Sequence, residues 1–298
     1  MAITVGTDTQ ERIDIPEFVE RVSRYLDPRD NDSIAGAAKD LRCLGNNKEF
    51  VVAKLNQELG ETKSFQGKNG YTAQTIMLAR AEKFFVRANL WIPPSRKPEV
   101  REWQNELFYY LVPHDHNFSF LTIGYVGSGY ETVIWEYDPS AVVGEVGEKV
   151  KLNFLERTSL PEGKIMLYRA GRDVHSQEHP KEFSVSLNLM VITPEVKDRD
   201  QYLFDVEGGK ISAYAQHGGT SQVLLCKLAG HLGNRRTISL LERLAHSHAS
   251  PRVRLAALES WAELSPQDES AVFAVGLCDQ TELVRRASKA HLDCPQCQ

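Results

Sequence analysis

The chain has 298 residues, of which 42% are hydrophobic and 25% are charged, and its formal net charge is −5. This length suffices for one large or two ordinary domains with an ample core. The mild acidity argues against nucleic acid as the main partner, because phosphate binding requires concentrated lysine and arginine. No run approaches 18 apolar residues, which argues against a membrane-spanning helix.

The cysteines are scattered along the chain rather than arranged as a disulfide framework: Cys43, Cys226, Cys278, Cys294 and Cys297. The first fifteen residues lack the basic and apolar regions of a signal peptide. We therefore expect reduced thiols and a cytoplasmic location. The Cys294-Pro-Gln-Cys297 tail has no second ligand pair at zinc-finger spacing, and we expect a frayed terminus there.

Residues 1–88 are predicted to form a helical N-terminal region. Ile15-Pro16-Glu17-Phe18-Val19 opens an amphipathic stretch, and residues 50–55 and 72–85 continue the 3.6-residue periodicity.

Residues 89–215 change to a period of two, which is typical of strands. Phe118–Val126 and Tyr130–Tyr137 are predicted strands, and Gly127-Ser128-Gly129 between them suggests a hairpin turn. Further strands are predicted at residues 150–154, 164–168 and 183–192. Several short strands at this spacing predict an α+β protein whose centre is a β-barrel or jelly roll.

Residues 220–298 return to helical patterning and contain an internal repeat. The segment Ser250-Pro-Arg-Val-Arg-Leu-Ala-Ala257 is echoed by Gln280-Thr-Glu-Leu-Val-Arg-Arg-Ala287. This pattern resembles HEAT repeats, which implies stacked helix pairs. Two readings remain open: a helical cap on the preceding strands, or a docking surface for a protein or peptide.

The stretch Val112-Pro-His-Asp-His-Asn-Phe-Ser-Phe120 carries the strongest chemical pattern. In an extended strand, alternation places His114 and His116 on one face and Asp115 on the other. Two imidazoles that share one space favour a metal chelate over a pair of ordinary histidines.

A metal site needs a third ligand, and the predicted strand region offers His175 and His179. Residues 163–175 read as strand, turn and histidine, which is how a barrel returns the chain beside an earlier strand. This spacing favours His175, whereas His179 precedes Pro180 and is expected in a loop.

Residues 87–192 resemble the cupin superfamily, which has a first motif with H-x-H and a second with a glycine turn and a later histidine. A site with three histidines is most similar to the cysteine dioxygenase family. That family shares His114-Asp115-His116, a histidine fifty to sixty residues later, and Ser184-Val-Ser-Leu187. The resemblance implies a cupin barrel that binds Fe(II) through His114, His116 and His175 and uses dioxygen.

Two residues are candidates for a catalytic role, and the resemblance implies the first of them. Phe85-Val-Arg87-Ala-Asn89 is similar to the segment whose arginine holds the substrate carboxylate in that family, which assigns this role to Arg87. A buried ion pair is the alternative role for Arg87. Among the aromatic residues of the strands, Tyr125 is the one that we expect to face the metal and gate the pocket.

The sequence departs from these families at several positions, Arg169 at the proline place of the second motif among them. Phe120 and Leu121 stand where ordinary cupins carry a metal-binding glutamate and where many thiol dioxygenases carry a crosslinked cysteine. Met190 occupies the place of the crosslinked tyrosine, and Asn188 that of a nearby histidine.

Together these observations predict an Fe(II)-dependent cupin oxygenase. Its expected substrate is an amino-acid-like molecule, a thiol or a peptide side chain. Imidazole also suits zinc and nickel, so a Zn or Ni isomerase or hydrolase is one alternative. The other is a metal-binding sensor or scaffold that acts through the helical repeats.

Overall fold

A computed structural model describes residues 3–60, 69–70, 74–215 and 218–293. The Cys294–Cys297 tail lies outside the described residues. The chain divides into two compact units. The first comprises Met1–Pro139, Lys151–Thr193 and Leu203–Gly209, and the second comprises Ser140–Val150, Pro194–Tyr202 and Lys210–Gln298.

The described part of the chain is a mixture of helices and strands, as the sequence predicts. The helices are α1 Ile15–Tyr25, α2 Asn31–Gly36, α3 Ala38–Asn46, α4 Glu49–Gly60, α5 Pro98–Phe108, α6 Gly218–Leu232, α7 Arg235–Ser247, α8 Pro251–Leu264, α9 Glu269–Leu277 and α10 Glu282–Leu292. The strands are β1 Ile3–Thr4, β2 Thr75–Arg80, β3 Phe84–Trp91, β4 Phe120–Val126, β5 Glu131–Glu136, β6 Asn153–Ser159, β7 Ile165–Tyr168, β8 Asp173–Gln177, β9 Ser184–Val191, β10 Tyr202–Asp205 and β11 Lys210–Tyr214. Within the described residues, no helix is both long enough and apolar enough to cross a membrane.

The first unit contains two sheets. One has six strands in the order β1-β7-β4-β9-β3-β2, and the other has three in the order β6-β5-β8. Phe120, Tyr168 and Met190 of the larger sheet share a buried core with Ile134 of the smaller one. The sheets therefore pack face to face. Their ladders are separate, so the described strands do not close into the predicted barrel.

The connection between β4 and β5 carries the chain from one sheet to the other. The predicted hairpin at Gly127-Ser128-Gly129 is wrong, because β4 pairs with β7 and β9 whereas β5 pairs with β6 and β8. Gly127 and Gly129 have φ angles of 82° and 71°, a backbone conformation that favours glycine. The glycines thus mark a corner between sheets.

The N-terminal helices pack on the outer face of the larger sheet. Phe18, Val22 and Leu41 share one buried core with Val86 and Leu187. The helix predicted for residues 72–85 is wrong, since its described part forms β2 and the start of β3. Burial against α1 and β9 outweighs the local helical pattern here. The predicted boundary at residue 88 falls inside β3.

The second unit is mainly helical. Val253, Ala257, Phe273 and Val284 lie in its buried core, and they come from α8, α9 and α10. The helices predicted after residue 220 are present, while their assignment as HEAT-like repeats stays a prediction.

Candidate metal centre

Backbone pairing brings the first and last of the three histidines together. The His114 N–H donates to the His175 carbonyl at 3.0 Å, and the His175 N–H donates to the His114 carbonyl at 2.8 Å. Residues that exchange both bonds across an antiparallel pair project their side chains to the same side. The His116 ring lies 4.9 Å from the His114 ring and 5.0 Å from the His175 ring.

Two further backbone contacts hold the segment that carries His114 and His116. The Leu111 N–H donates to the Gln177 carbonyl at 2.9 Å, and the Gly171 N–H donates to the His116 carbonyl at 2.7 Å. Gly171 lies in the turn before β8 and has a φ angle of 58°. The glycine turn noted in the sequence is therefore the element that returns β8 beside the His-Asp-His segment.

The three imidazoles form a compact group. One ring nitrogen from each lies within 4.8 Å of the others, and the His116 and His175 Nε2 atoms are 3.0 Å apart. Nitrogens bound to one metal at about 2.1 Å are separated by about 3.0 to 3.4 Å. Within the described residues, His114, His116 and His175 are the group of three or more histidine, cysteine, aspartate or glutamate side chains whose ligand atoms all lie within 4.8 Å of one another.

The protonation of His114 and His175 suits metal binding. The Nδ1 atom of His114 lies 2.7 Å from the Val112 carbonyl, which can only accept, so Nδ1 carries the proton and Nε2 has the lone pair. Burial lowers the pKa of His114 to about 4. Burial, with the influence of His114, lowers the pKa of His175 well below its usual value. Both rings are neutral near pH 7, the form that binds metals.

Aromatic rings surround the histidines. Phe118 and Phe120 lie 4.9 and 5.0 Å from the His116 ring, and Tyr168 lies 4.4 Å from the His175 ring. Phe120 and Tyr168 stack on each other at 4.8 Å. Phe120 therefore places an apolar wall where ordinary cupins are expected to supply a carboxylate.

Arg87 lies one row further along the same inner face of the larger sheet. Residues that pair across neighbouring strands form a row. The row nearest the histidines consists of Phe120 in β4, Met190 in β9 and Phe85 in β3. Two residues on, Arg87 pairs with Asn188. This step corresponds to about 7 Å along the strands.

The charge of Arg87 acts inside this space. Burial raises the pKa of Tyr130, and the Arg87 guanidinium partly opposes that effect. The predicted substrate anchor thus lies on the inner face, beside the histidine row.

Tyr125 lies on the other face of the sheet. Its neighbours are Leu121 and Ile123 in the core beneath the N-terminal helices, and its hydroxyl donates to the Asn47 carbonyl at 2.9 Å. The Lys48 ammonium lies 4.2 Å from its ring centre. Because alternate residues of a strand point to opposite faces, Tyr125 does not face the histidines as expected.

His179, the alternative third ligand, is apart from the group. Its ring packs against Tyr110 at 4.2 Å. The structure instead brings Thr132 and Tyr168 to the inner face beside His175. Tyr168 was recognisable in the sequence from its position before the glycine turn, whereas Thr132 had no distinguishing pattern.

The comparisons with known proteins return only remote structural similarity. No family model matches the chain, and no curated protein matches it. A hydroquinone 1,2-dioxygenase in complex with Cd2+ and 4-hydroxybenzonitrile is 13% identical, with 43% of this chain and 69% of that chain covered and a TM-score of 0.26. A hydroquinone 1,2-dioxygenase from Sphingomonas sp. TTNP3 with bound 4-hydroxybenzoate is 11% identical, with 43% and 72% covered and a TM-score of 0.28.

A cupin domain from Bordetella pertussis is 10% identical, with 42% of this chain and 98% of that chain covered and a TM-score of 0.22. TM-scores this far below 0.5 establish neither a common fold nor a common function.

Proposed function

We propose that the protein is an Fe(II)-dependent oxygenase of the cupin type, with His114, His116 and His175 as the metal ligands. The observation that carries the proposal is that ring nitrogens of three imidazoles lie within 4.8 Å of one another, and that His114 and His175 are buried. Neutral imidazole is a ligand of non-haem iron.

Each surrounding residue has a role in this proposal. Bound Fe(II) supplies coordination positions for substrate and dioxygen. The Val112 carbonyl holds the proton on His114 Nδ1, so that the lone pair of Nε2 would bind the ion. The walls formed by Phe118, Phe120 and Tyr168 exclude water. Arg87 orients an anionic group of the substrate from the adjacent row.

Oxygen consumption tests this function. We expect Fe(II)-loaded protein to consume O2 with at least one member of a panel of amino acids, thiols and carboxylic acids, and Zn(II)-loaded protein to consume none. His175→Ala should abolish consumption. His179→Gln, four residues away, should retain it because His179 packs on Tyr110 outside the group. Equal turnover without O2, or with Zn(II), would favour a Lewis-acid isomerase or hydrolase instead.

The helical unit has a separate proposed role. In this proposal, the repeat-like helices α8 and α10 pack as HEAT-like repeats and bind a protein or peptide partner. A pull-down with residues beyond 218 deleted would lose that partner, whereas the metal content of the remaining chain would not change.

A further inference from the structure

The inner face of the first unit is apolar next to the histidines. Phe85, Phe120, Met166 and Met190 are buried there, and Trp91 lies in the same core. A molecule that binds beside the histidines therefore contacts rings and thioethers over most of its surface. Such walls favour an apolar or aromatic body.

Two buried hydroxyl groups lie near each other on this face. The Tyr168 and Thr132 side chains are 1% and 0% exposed. Within the described residues, neither hydroxyl has a partner at full hydrogen-bond geometry, although the Tyr168 hydroxyl interacts with those of Thr132 and Tyr130. Buried polar atoms in folded proteins nearly always have a hydrogen-bond partner. These two hydroxyls are therefore suited to bond an oxygen atom of a ligand.

The carboxylates on the inward positions of the strands already lie beside cations. Asp173 binds the Arg169 Nε at 3.0 Å, and Glu136 binds the Arg169 Nη2 at 3.1 Å. Glu156 lies opposite Ile134 and within the influence of Lys164. An ammonium group on the ligand would have to compete for these carboxylates or remain buried without a counter-ion, which is costly.

We infer that the substrate is a small carboxylic acid with an apolar or aromatic body and no ammonium group. The Tyr168 and Thr132 hydroxyls bond an oxygen of this acid, and the charge of Arg87 favours its anionic form. This inference rests on the proposed oxygenase function and narrows its substrate class away from free amino acids. Tyr168 is a substrate-binding residue in this scheme.

Matched ligand pairs test the inference. Acetate and glycine, propanoate and alanine, and 3-phenylpropanoate and phenylalanine differ within each pair only by the α-ammonium group. Titration calorimetry on Zn(II)-loaded protein measures binding without oxidation. We expect 3-phenylpropanoate to bind most tightly, and at least about tenfold more tightly than phenylalanine. Equal or tighter binding of the amino acids, or no binding of any acid, would overturn the inference.

A variant of Tyr168 distinguishes a loss of ligand binding from a loss of folding. Tyr168→Phe should weaken 3-phenylpropanoate about tenfold while Zn(II) content and Tm stay at wild-type values. Tyr125→Phe removes a hydroxyl from the outer face of the same sheet and should leave the affinity unchanged. An unchanged affinity in Tyr168→Phe would contradict the assignment. Protein that holds no Zn(II) would contradict the proposed function as well, which distinguishes the two failures.

Discussion

Asp115 shows how a single residue can fix a site that it does not enter. It points away from the imidazoles, is fully buried, and accepts a hydrogen bond from the Tyr137 hydroxyl at 2.7 Å. The neighbouring histidines can hold their positions only if this part of the backbone is anchored. The His-Asp-His pattern therefore combines candidate metal ligands with a buried hydrogen-bonded aspartate between them.

Tyr137→Phe removes one contact of that anchor. We expect Zn(II) affinity to fall by up to about tenfold, because contacts that orient metal ligands contribute on this scale. Competition with a chromophoric chelator measures the affinity. Tyr214→Phe is the matched control. Tyr214 and Gly144 both belong to the second unit, where the Tyr214 hydroxyl donates to the Gly144 carbonyl. If Tyr137→Phe and wild type bind Zn(II) with the same affinity, the hydrogen bond between Tyr137 and Asp115 does not support the metal site.

Some residues of the candidate site could be predicted from the sequence and others could not. His114 and His116 were recognisable because alternation alone places them together, and the glycine turn indicated His175. Tyr125 could not be assigned to a face, because every residue of β4 from Phe120 to Tyr125 is buried. A strand that is buried on both faces has no polar side by which to recognise its orientation.

At the scale of elements, the corner between β4 and β5 depends on close backbone approach. A Cβ at Gly129 would lie 1.8 Å from the Leu160 carbonyl oxygen. The local sequence predicts a turn there, but the strands that it joins are chosen by distant partners. This is why the turn was predictable and the hairpin was wrong.

Gly129→Ala should destabilise the first unit by about 3 kcal/mol, since it combines a positive φ angle with a backbone clash. Denaturant unfolding measures the loss. Gly36→Ala is the control, because a Cβ there meets nothing within 4 Å. Gly36 lies in α2, so the change should be neutral or stabilising by up to about 1 kcal/mol. Equal stability of the two variants would contradict the close backbone approach at Gly129.

A buried ion pair links the elements of the helical unit. Arg254 of α8 binds Asp279 through two bonds of 2.7 and 2.8 Å, and the corresponding side chains are 2% and 8% exposed. Arg254→Leu should lower the free energy of unfolding by about 3 kcal/mol, because Asp279 would remain buried without its partner. Arg286→Leu removes an exposed pair with Glu282 and should cost less than about 1 kcal/mol. Thermal unfolding distinguishes the two, and a small loss in Arg254→Leu would contradict this account.

The same pair predicts a pH dependence. Burial alone would raise the pKa of Asp279, but hydrogen bonds from Arg254 and Thr281 hold it below the usual value of 3.8. A carboxyl with a lowered pKa contributes stability above its unfolded pKa and loses it as the pH falls through the folded pKa. The stability difference between wild type and Asp279→Asn should therefore be full at pH 5 and shrink below about pH 4. A difference that is constant across that range would exclude this contribution.

At the scale of the whole molecule, composition and periodicity were sufficient to predict a mixture of helices and strands. The sheet order was not predictable, because pairs such as β3 with β9 join residues about a hundred positions apart. The N-terminal helices likewise could not be recognised as the cover of a sheet. Their apolar faces indicate burial without indicating the partner.

Metal content is the most direct test of the central claim that three histidines form one metal site. Elemental analysis of purified protein should find about one metal ion per chain in wild type and in His179→Gln. His114→Ala and His175→Ala should each retain less than about a tenth of it, with wild-type folding by circular dichroism. Equal metal content in wild type and both alanine variants, or none in wild type after incubation with Fe(II) or Zn(II), would contradict the claim.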